Sequence, residues 1–221
     1  MKLVYQRFDL FATEYDFMAS LQSKNDFFIK NLSRNRSAVL DIGCGSGILA
    51  FELAKYYQKV VAIDICQEML EIAKVKRSAP NIQYLLMDAE NLILDEKFDL
   101  ITSANTFHHL QNLPATLQTI KQLLKPGGKV VLLDNVSEVE TPATIVYIWS
   151  AIRDFFPDWR KYGLGTAWRL FKFRTSQPWL SHLATDKYLS AQQFKQIYGS
   201  YFPNCSLTKM GCFMGLVWIN Q

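Results

Sequence analysis

Short apolar runs alternate with longer amphipathic segments over the first two thirds of the chain. Five runs have the length and composition of buried strands and lie at 38–42, 59–64, 82–87, 98–103 and 129–133. Between them, apolar residues recur at helical spacing over 47–57, 67–76 and 114–124. Strands that alternate with helices of this length are typical of a parallel sheet covered on both faces. The pattern therefore predicts a doubly wound α/β fold.

Three further segments flank the predicted core at 38–134 and complete a single domain over residues 1–221. Aromatic and polar residues alternate at helical spacing over 8–31, which predicts a helical N-terminal segment. Residues 142–195 have the pattern of helices rich in aromatic side chains. Two apolar runs within 205–219 predict a closing pair of strands.

Composition narrows the class of protein. Apolar residues make up 49% of the 221 residues and charged residues 20%, which is ordinary for a globular chain and argues against disorder. The four cysteines form no CxxC pair and no cysteine–histidine cluster, so we predict reduced thiols and no metal. The N-terminus lacks the apolar region of a signal peptide, and the most apolar stretch, 143–152, is about half the length that spans a bilayer. We therefore expect a soluble, cytoplasmic protein.

The net charge of +4 is unevenly distributed along the chain. Residues 1–150 carry 15 basic and 17 acidic side chains, whereas residues 151–221 carry nine basic and three acidic ones. Four of the five tryptophans lie within 147–179. The helical segment that follows the fifth predicted strand is therefore both basic and aromatic, unlike the predicted core.

A glycine-rich loop, Asp41-Ile42-Gly43-Cys44-Gly45-Ser46-Gly47, joins the first predicted strand to the first helix of the core. Glycines at this junction allow positive φ angles and let a ligand approach the backbone closely. The spacing G-x-G-x-G differs from the dinucleotide fingerprint G-x-G-x-x-G, because position 48 is isoleucine. The Gly-Lys-Ser/Thr of a P-loop is also missing. The loop indicates a ligand site whose type the glycine spacing alone leaves open.

Acidic residues follow the next two predicted strands. Asp64 ends the second strand, where a carboxylate can accept hydrogen bonds from both hydroxyls of a ribose. Asp88 follows the third strand, where a short acid can accept a hydrogen bond from an exocyclic adenine amine. Because the carboxyl ends of parallel strands meet at one edge of the sheet, we expect both acids and the glycine loop to share one site there.

Five ordered segments of the chain resemble the class I S-adenosylmethionine (SAM)-dependent methyltransferases of the small-molecule type. They are VLDIGCGSG (39–47), VVAIDI (60–65), MDAENL (87–92), FDLITSANTFHHL (98–110) and LLKPGGKVVLLD (123–134). FDLFATEYD (8–16) is similar to the segment that many members place before the core. The resemblance implies a mostly parallel seven-stranded sheet with an antiparallel last strand. It also implies that the helical segment at 142–195 is a cap over the acceptor pocket, inserted after the fifth strand.

The same resemblance implies SAM as the cofactor and S-adenosylhomocysteine (SAH) as the product. The loop backbone would face the methionine part of SAM, with Asp41 at its amino group and Asp64 at its ribose. Tyr15 would close the methionine end. The cofactor-binding residues predicted in this way are Asp41, Gly43, Cys44, Gly45, Gly47, Asp64, Ile65, Met69, Asp88, Ala89, Ala104, Asn105 and Tyr15.

Two histidines after the fourth predicted strand are the candidate catalytic groups. Methyl transfer needs alignment of the reactants, and it needs a general base only when the acceptor arrives protonated. Two adjacent side chains do not easily face one pocket, so we predict His109 as the base and keep His108 as the second candidate. A packing or capping histidine is the alternative for both, and His182 is interpreted as structural.

The cap carries the candidate substrate residues Trp149, Arg153, Trp168 and Arg169. Its aromatic and basic side chains are compatible with a pocket for a flat, lipophilic or anionic acceptor, with peripheral contact to a membrane, or with nucleic acid. They are also compatible with a cap whose aromatics form its own core and whose charges are solvated. The total charge is modest and no known RNA-binding module precedes the core, so we do not expect nucleic acid.

The sequence thus predicts a SAM-dependent methyltransferase that transfers a methyl group to oxygen, nitrogen or carbon of a small or lipophilic acceptor. An RNA or protein methyltransferase is one alternative, and a non-catalytic SAM-binding interaction protein is the other. The acceptor and the oligomeric state stay open at this point.

Overall fold

Seven strands form one sheet in the computed structural model, which describes residues 8–22 and 25–221. The strands are β1 (Ala38–Ile42), β2 (Lys59–Asp64), β3 (Ile82–Leu86), β4 (Phe98–Ala104), β5 (Leu124–Asn135), β6 (Ser206–Met210) and β7 (Phe213–Ile219). Their order across the sheet is β3-β2-β1-β4-β5-β7-β6. β7 runs antiparallel to both of its neighbours, and the other pairs are parallel. The predicted fold class is confirmed.

Helices cover both faces of this sheet. They are α1 (Ala12–Gln22), α2 (Asn25–Ile29), α3 (Ile48–Leu53), α4 (Gln67–Lys76), α5 (Leu113–Gln122), α6 (Thr144–Tyr162), α7 (Leu164–Arg174), α8 (Gln177–Leu183) and α9 (Ala191–Tyr201). Short 3₁₀ turns lie at Phe8–Leu10 and Phe107–His109. No helix among the described residues is long and apolar enough to cross a membrane.

The central strands are buried on both faces, which is why they appear in the sequence as continuous apolar runs. Leu40 and Ile42 of β1 pack into a cluster with residues of α5 and α9, whereas Val39 packs on the opposite face with residues of α2 and α3. β2 and β4 flank β1 on opposite sides. The connections that leave the carboxyl ends of β1 and β4 therefore diverge, and they open the crevice in which α/β sheets bind ligands.

β5 begins earlier than the predicted start at residue 129, because Lys125-Pro126-Gly127-Gly128 also belongs to the strand. Leu124 pairs with Phe98 of β4, and the register then shifts before Lys129 pairs with Leu100. Gly127 has a φ of +73°, a left-handed conformation that glycine adopts without strain. The proline and this glycine therefore form an irregularity within a strand of 12 residues.

The segment predicted as a cap, 142–195, contains two structurally different parts. α6, α7 and α8 lie between β5 and the bridge that pairs Val136 with Leu189. α9 begins with a capping box formed by Ser190 and Gln193, and it packs in the same cluster as sheet residues. α9 therefore belongs to the helices that cover the sheet and not to the cap, because its buried aromatic residues pack against the strands.

A buried carboxylate attaches α1 to the edge of the core. Asp16 accepts hydrogen bonds from Lys76 Nζ at 2.6 Å and from Arg77 Nη1 at 2.7 Å. The same Arg77 nitrogen also donates to the carbonyl of Ser46 in the glycine loop at 2.9 Å. Burial raises the pKa of the Asp16 carboxyl, but hydrogen bonds from Lys76, Ser46 and Arg77 outweigh burial and hold that pKa below its usual value. Asp16 therefore links the N-terminal helix to the loop through Arg77.

Replacing Asp16 by Asn is expected to lower the free energy of unfolding by about 2–4 kcal/mol at pH 7, because it leaves Arg77 without its charged partner. The pKa of Asp16 is lowered in the folded state, so its stabilising effect is present above the unfolded pKa of about 3.9 and is lost as the pH falls through the folded pKa. Urea unfolding at pH 7 and pH 3 measures both effects. Asp26→Asn, at an exposed acid of α2, is the matched control. Equal losses in the two variants would contradict this role.

Candidate active site

One cavity of about 550 Å³ lies at the carboxyl edge of the sheet. It extends from the glycine loop after β1, past the ends of β2 and β4, to the inner sides of α6 and α8. Twelve of the predicted cofactor-binding residues line it, namely Tyr15, Asp41, Gly43, Cys44, Gly45, Asp64, Ile65, Met69, Asp88, Ala89, Ala104 and Asn105. Both candidate histidines line it as well.

Gly43 adopts a conformation that the loop could not hold with another residue. Its φ is +68°, and a Cβ at this position would lie 2.1 Å from Oγ1 of Thr106. The backbone of the loop can therefore pass directly against the segment that follows β4. This close approach between two segments of the protein sets one wall of the cavity.

Gly47 is the predicted cofactor-binding residue that the structure does not place on the cavity. It begins α3 with a φ of +81°, and a Cβ there would lie 2.5 Å from the hydroxyl of Tyr84. Tyr84 in turn donates a hydrogen bond to the carbonyl of Arg77 at 2.8 Å. The third glycine is therefore required by packing against β3 and by the start of the helix, not by contact with the cavity.

Asp41 has one satisfied and one unsatisfied carboxylate oxygen. Its Oδ1 accepts a hydrogen bond from Oγ1 of Thr102 at 2.9 Å, and no described residue donates to the buried Oδ2. Burial raises the pKa of Asp41 to about 7, although the bond from Thr102 opposes the rise and the charge of Asp64 adds to it. An uncompensated buried carboxylate attracts a cation or a hydrogen-bond donor. Asp41 is therefore suited to hold an ammonium group in this cavity.

Asp64 connects the glycine loop to the start of α4. Its Oδ2 accepts the backbone N–H of Gly45 at 2.7 Å, and its Oδ1 accepts the backbone N–H of Cys66 at 2.9 Å. Burial raises the pKa of this carboxyl, and the two backbone bonds oppose the rise. Each oxygen keeps a second lone pair for a ligand hydroxyl. Asp64 can thus fix the loop and bind two adjacent hydroxyl groups at the same time.

The remaining predicted cofactor residues surround these two acids. Cys44 is a small lining residue, and burial raises the pKa of its thiol so that it stays neutral. Asp88 accepts the backbone N–H of Glu90 at 2.9 Å, which shapes the loop after β3. Asn105 follows β4 with a φ of +55°, a conformation that Asn tolerates better than most residues, and its side chain accepts a bond from Asn135. A left-handed residue at the end of a strand often marks a functional site.

All three histidines of the chain surround one buried carboxylate, Asp186. The Nδ1 atom of His109 lies 3.3 Å from Asp186, Nε2 of His182 lies 3.7 Å from it, and Nε2 of His108 lies 3.9 Å from it. His108 also pairs with Asp134 at the end of β5, with 2.5 Å between Nδ1 and Oδ1. The structure therefore brings both candidate catalytic histidines into one cluster with two carboxylates.

The two adjacent histidines have opposite protonation preferences. Burial lowers the pKa of His108, but the neighbouring charges of Asp134 and Asp186 raise it above its usual value. Burial and the charge of His108 lower the pKa of His109 below its usual value, although Asp186 opposes this. Environments that separate the pKa values of two groups in this way are typical of an acid–base site. His109 is thus neutral at pH 7 and able to accept a proton.

Sequence reasoning missed Asp134, Asp186 and Tyr188 as members of this site. Asp186 is held by the hydroxyl of Tyr188, which donates to its Oδ2 at 2.8 Å. The segment containing both residues reaches the end of β5 through a bridge between Val136 and Leu189. Contacts between residues so far apart in the chain leave no local pattern. The signal available for Asp134 was an acidic residue at the end of the apolar run that forms β5.

Aromatic side chains close the cavity around the histidines. Phe8 contacts Tyr15 edge-on at a centroid distance of 5.1 Å and His182 at 4.6 Å. Trp179 of α8 stacks on His182 at 5.4 Å and contacts Tyr15 at 5.7 Å. Burial, together with the charges of Asp64, Asp186 and Asp134, raises the pKa of Tyr15 to about 12, so the phenol is neutral. This part of the cavity therefore has an apolar, aromatic wall beside the titratable cluster.

The four residues predicted to contact substrate lie away from this cavity, which corrects the interpretation of the cap. Trp149 and Arg153 are exposed on the outer face of α6, whereas Trp168 and Arg169 line a separate surface depression beside α7. Arg169 donates two hydrogen bonds to Glu14 and lies over the ring of Phe17. The inner face of α6 presents smaller and polar residues to the cavity instead, namely Tyr147, Ser150, Ala151 and Asp154.

Ligating atoms of His108, His109 and Asp186 all lie within 4.8 Å of one another. The cysteine and histidine spacing gave no indication of this cluster, because its members meet only in the folded chain. Its composition is compatible with proton exchange as well as with a metal ion. That the chain holds no metal stays a prediction.

Comparison with known proteins identifies the family. The family model described as "Methyltransferase domain" matches residues 40–132, which cover the strands from β1 to β5. The demethylmenaquinone methyltransferase of Lactobacillus johnsonii is 30% identical over 99% of this chain and 92% of its own length. The malonyl-[acyl-carrier protein] O-methyltransferase of Priestia megaterium is 34% identical over 137 residues, which are 59% of this chain. The chain belongs to the class I SAM-dependent methyltransferases, as its sequence segments predict.

Two further facts qualify the comparison. The chain spans about half the length of the malonyl-[acyl-carrier protein] relatives that it matches. Among solved structures, the complex of DhpI with SAH has a TM-score of 0.64, with 16% identity over 93% of this chain and 89% of that one. The fold of this structure is thus that of a protein that binds SAH, the product of the SAM cofactor.

The residues of the cavity fit SAM. The unsatisfied Oδ2 of Asp41 provides a site for a cationic amino group, and Gly43 and Gly45 line the cavity beside it. The carboxylate of Asp64 can accept two hydroxyls of a ribose. These observations support SAM as the cofactor of the chain.

Proposed function

We propose that the protein transfers a methyl group from SAM to a small lipophilic acceptor bound in the same cavity. The observation that carries this proposal is the continuity of that cavity. One end contains Asp41, the glycine loop and Asp64, and the other contains His109 beneath the aromatic wall of Phe8 and Trp179. A cofactor and an acceptor can therefore meet in one cavity.

The cofactor end binds and orients the methyl donor. SAM supplies a methyl group on a positively charged sulfur, and transfer needs the acceptor atom to be held in line with that bond. Asp41 would hold the amino group, Asp64 the ribose and Asp88 the adenine. Tyr15 and Asn105, which both line the cavity, would narrow the space through which the acceptor approaches.

The acceptor end favours an apolar, flat molecule. Aromatic rings provide most of its wall, and ligand pockets of this composition bind apolar surfaces with a few directed polar contacts. Two names of relatives point in the same direction, since they specify demethylmenaquinone and ubiquinone biosynthesis. A third relative is named for a malonyl group on acyl-carrier protein, which is anionic instead. Arg174 also lines the cavity, but Asp158 accepts its hydrogen bond at 2.6 Å, so its charge is already compensated.

His109 would accept the proton that the acceptor loses. Its Nδ1 faces Asp186, so a proton on Nδ1 leaves Nε2 as the basic atom. The carboxylate of Asp186 stabilises the imidazolium that forms, and Tyr188 keeps that carboxylate in place. The cluster thus suits an acceptor that arrives protonated, such as a phenol or an activated carbon acid.

Methyl transfer can be assayed directly by the formation of SAH. We suggest three acceptors: a short-chain demethylmenaquinol, a malonyl thioester of pantetheine, and total tRNA. Turnover is expected with one of the two small acceptors and is expected to stay at the acceptor-free background with tRNA. Turnover with tRNA alone would overturn the choice of acceptor class. Tight SAH binding without turnover on small molecules, tRNA or protein extract would instead favour a non-catalytic SAM-binding protein.

The affinity for SAM is expected to decrease as the pH falls below 7. The pKa of Asp41 is raised to about 7, so its carboxylate becomes neutral below that pH and loses its attraction for the amino group of SAM. The expected decrease is up to tenfold per pH unit between pH 7 and 5.5. Titration calorimetry at several pH values measures it. Asp41→Asn should bind more weakly at pH 7.5 and lose the dependence, and an unchanged dependence would contradict the assignment to Asp41.

A further inference from the structure

The two sides of α6 have opposite roles. Its inner side contributes Tyr147, Ser150, Ala151 and Asp154 to the cavity. Its outer side presents a stripe of five large apolar residues at helical spacings of four and three, which are Ile145, Trp149, Ile152, Phe156 and Trp159. We call these five residues the outer stripe of α6. Each of them is between 46% and 64% exposed.

The outer stripe is a contiguous apolar surface that the described part of the chain leaves uncovered. α7 packs antiparallel against α6 and extends the surface with Leu164 and Trp168, which are also exposed. Isolated apolar residues are ordinary on protein surfaces, but a row that follows one face of a 19-residue helix marks a binding surface. This helix has the long amphipathic pattern of segments that lie in a membrane interface.

The charges beside the outer stripe favour an anionic partner. Arg153 and Arg160 are exposed and each directly follows a stripe residue in α6, and Lys172 is exposed one turn after Trp168 in α7. The two acidic residues of this region have partners, since Asp154 pairs with Arg153 and Asp158 pairs with the buried Arg174. Among the described residues, no carboxylate lies within ion-pair distance of Arg160 or Lys172. The surface around the stripe is therefore positive as well as apolar.

We propose that the outer stripe of α6 docks the protein on the surface of an anionic phospholipid bilayer, with the helix lying in the plane of the interface. The inference deepens the proposed function, on which the choice of a lipophilic acceptor rests. Docking would leave one helix diameter, about 10 Å, between the bilayer and the cavity. A membrane-dissolved acceptor would then be concentrated within a short distance of the site.

A second copy of the chain is the competing occupant of this surface. A two-fold interface would bring the same helix face of two chains together, and with it the arginines beside each stripe. Like charges placed together at an interface oppose association. The positive border of the outer stripe therefore favours lipid headgroups over another copy.

Sedimentation with vesicles tests the proposal on the full chain. The probes are vesicles of phosphatidylcholine alone and vesicles that also contain 30 mol% phosphatidylglycerol. We expect wild type to bind the anionic vesicles, and the double variant Trp149→Ala/Phe156→Ala to bind them at least about tenfold more weakly. Arg160→Glu/Lys172→Glu should weaken binding to the anionic vesicles only.

The double variant Val75→Ala/Ile93→Ala is the matched control, because these two apolar residues are 83% and 80% exposed and lie elsewhere on the surface. It should bind vesicles as wild type does. Absence of binding by wild type, or an equal loss in the control, would overturn the proposal. A dimer in solution that Trp149→Ala/Phe156→Ala converts to a monomer would overturn it in favour of a second copy.

SAH binding in the same preparations separates this proposal from the proposed function. Retained SAH binding and turnover without vesicle binding would overturn docking alone. Retained vesicle binding without any turnover would overturn the proposed activity alone. All variants carry changes at exposed positions, and thermal unfolding verifies that each is folded.

Discussion

Replacing Asp64 by Ala is expected to lower the affinity for SAM and SAH at least about 100-fold, because each hydrogen bond to a carboxylate contributes about 1.5–3 kcal/mol and two ribose hydroxyls lose their acceptor. The same change also removes the acceptor of the Gly45 N–H, which holds the glycine loop in place. The substitution therefore removes the contacts with the ligand and also the bond that fixes the conformation of the glycine loop. Titration calorimetry with SAH measures the effect without requiring an acceptor.

Two variants make the Asp64 result interpretable. Asp95→Asn changes an exposed acid outside the cavity and should bind SAH as wild type does. Asp64→Asn keeps one acceptor oxygen and the size of the side chain, so it should bind with intermediate affinity. If Asp64→Ala is folded and binds SAH normally, the cofactor is not held by the end of β2.

Replacing His109 by Asn is expected to lower kcat at least about 100-fold at pH 7.5 while SAH binding is retained, because general base catalysis contributes about 10²–10⁴-fold. The pKa of His109 lies below its usual value of about 6.5 in this environment. With SAM saturating, kcat of wild type should therefore rise with pH to a plateau, with its midpoint below pH 6.5. In His109→Asn, kcat should no longer rise with pH in this range.

Asp186→Asn tests whether the carboxylate acts through His109. The charge of Asp186 raises the pKa of His109. Its removal should therefore move the midpoint of the pH dependence of kcat to lower pH and reduce the plateau value of kcat about tenfold. Gln111→Ala, at an exposed position of the same loop, is the control and should leave both unchanged. A wild-type rate and pH profile in His109→Asn would contradict the role of His109 as the base. The acceptor site could still align its substrate in that case.

The cofactor end of the site was predictable because its groups are local features of single strand ends. The loop after β1, Asp64 after β2 and Asp88 after β3 each follow an apolar run that is recognisable in the sequence. A parallel sheet necessarily brings such ends to one edge. Gly47 was the exception, since glycine in the sequence does not distinguish close ligand approach from close packing against a residue such as Tyr84.

The acceptor end was less predictable for two physical reasons. The carboxylate partners of the histidines come from distant segments, and their meeting depends on the bridge between Val136 and Leu189. On α6, helical periodicity defines two faces, but it does not tell which of them the fold covers. The large aromatic residues suggested a pocket wall, whereas the structure turns smaller residues such as Ala151 inward and leaves Trp149 outside.

Titration calorimetry of the wild-type chain with SAH tests the central claim most directly, because it requires the cofactor site and no knowledge of the acceptor. A saturable heat that corresponds to one SAH per chain is predicted, and it should be lost in Asp64→Ala and retained in Asp95→Asn. The absence of saturable heat from folded wild type would contradict the account, and so would equal heats from wild type and Asp64→Ala.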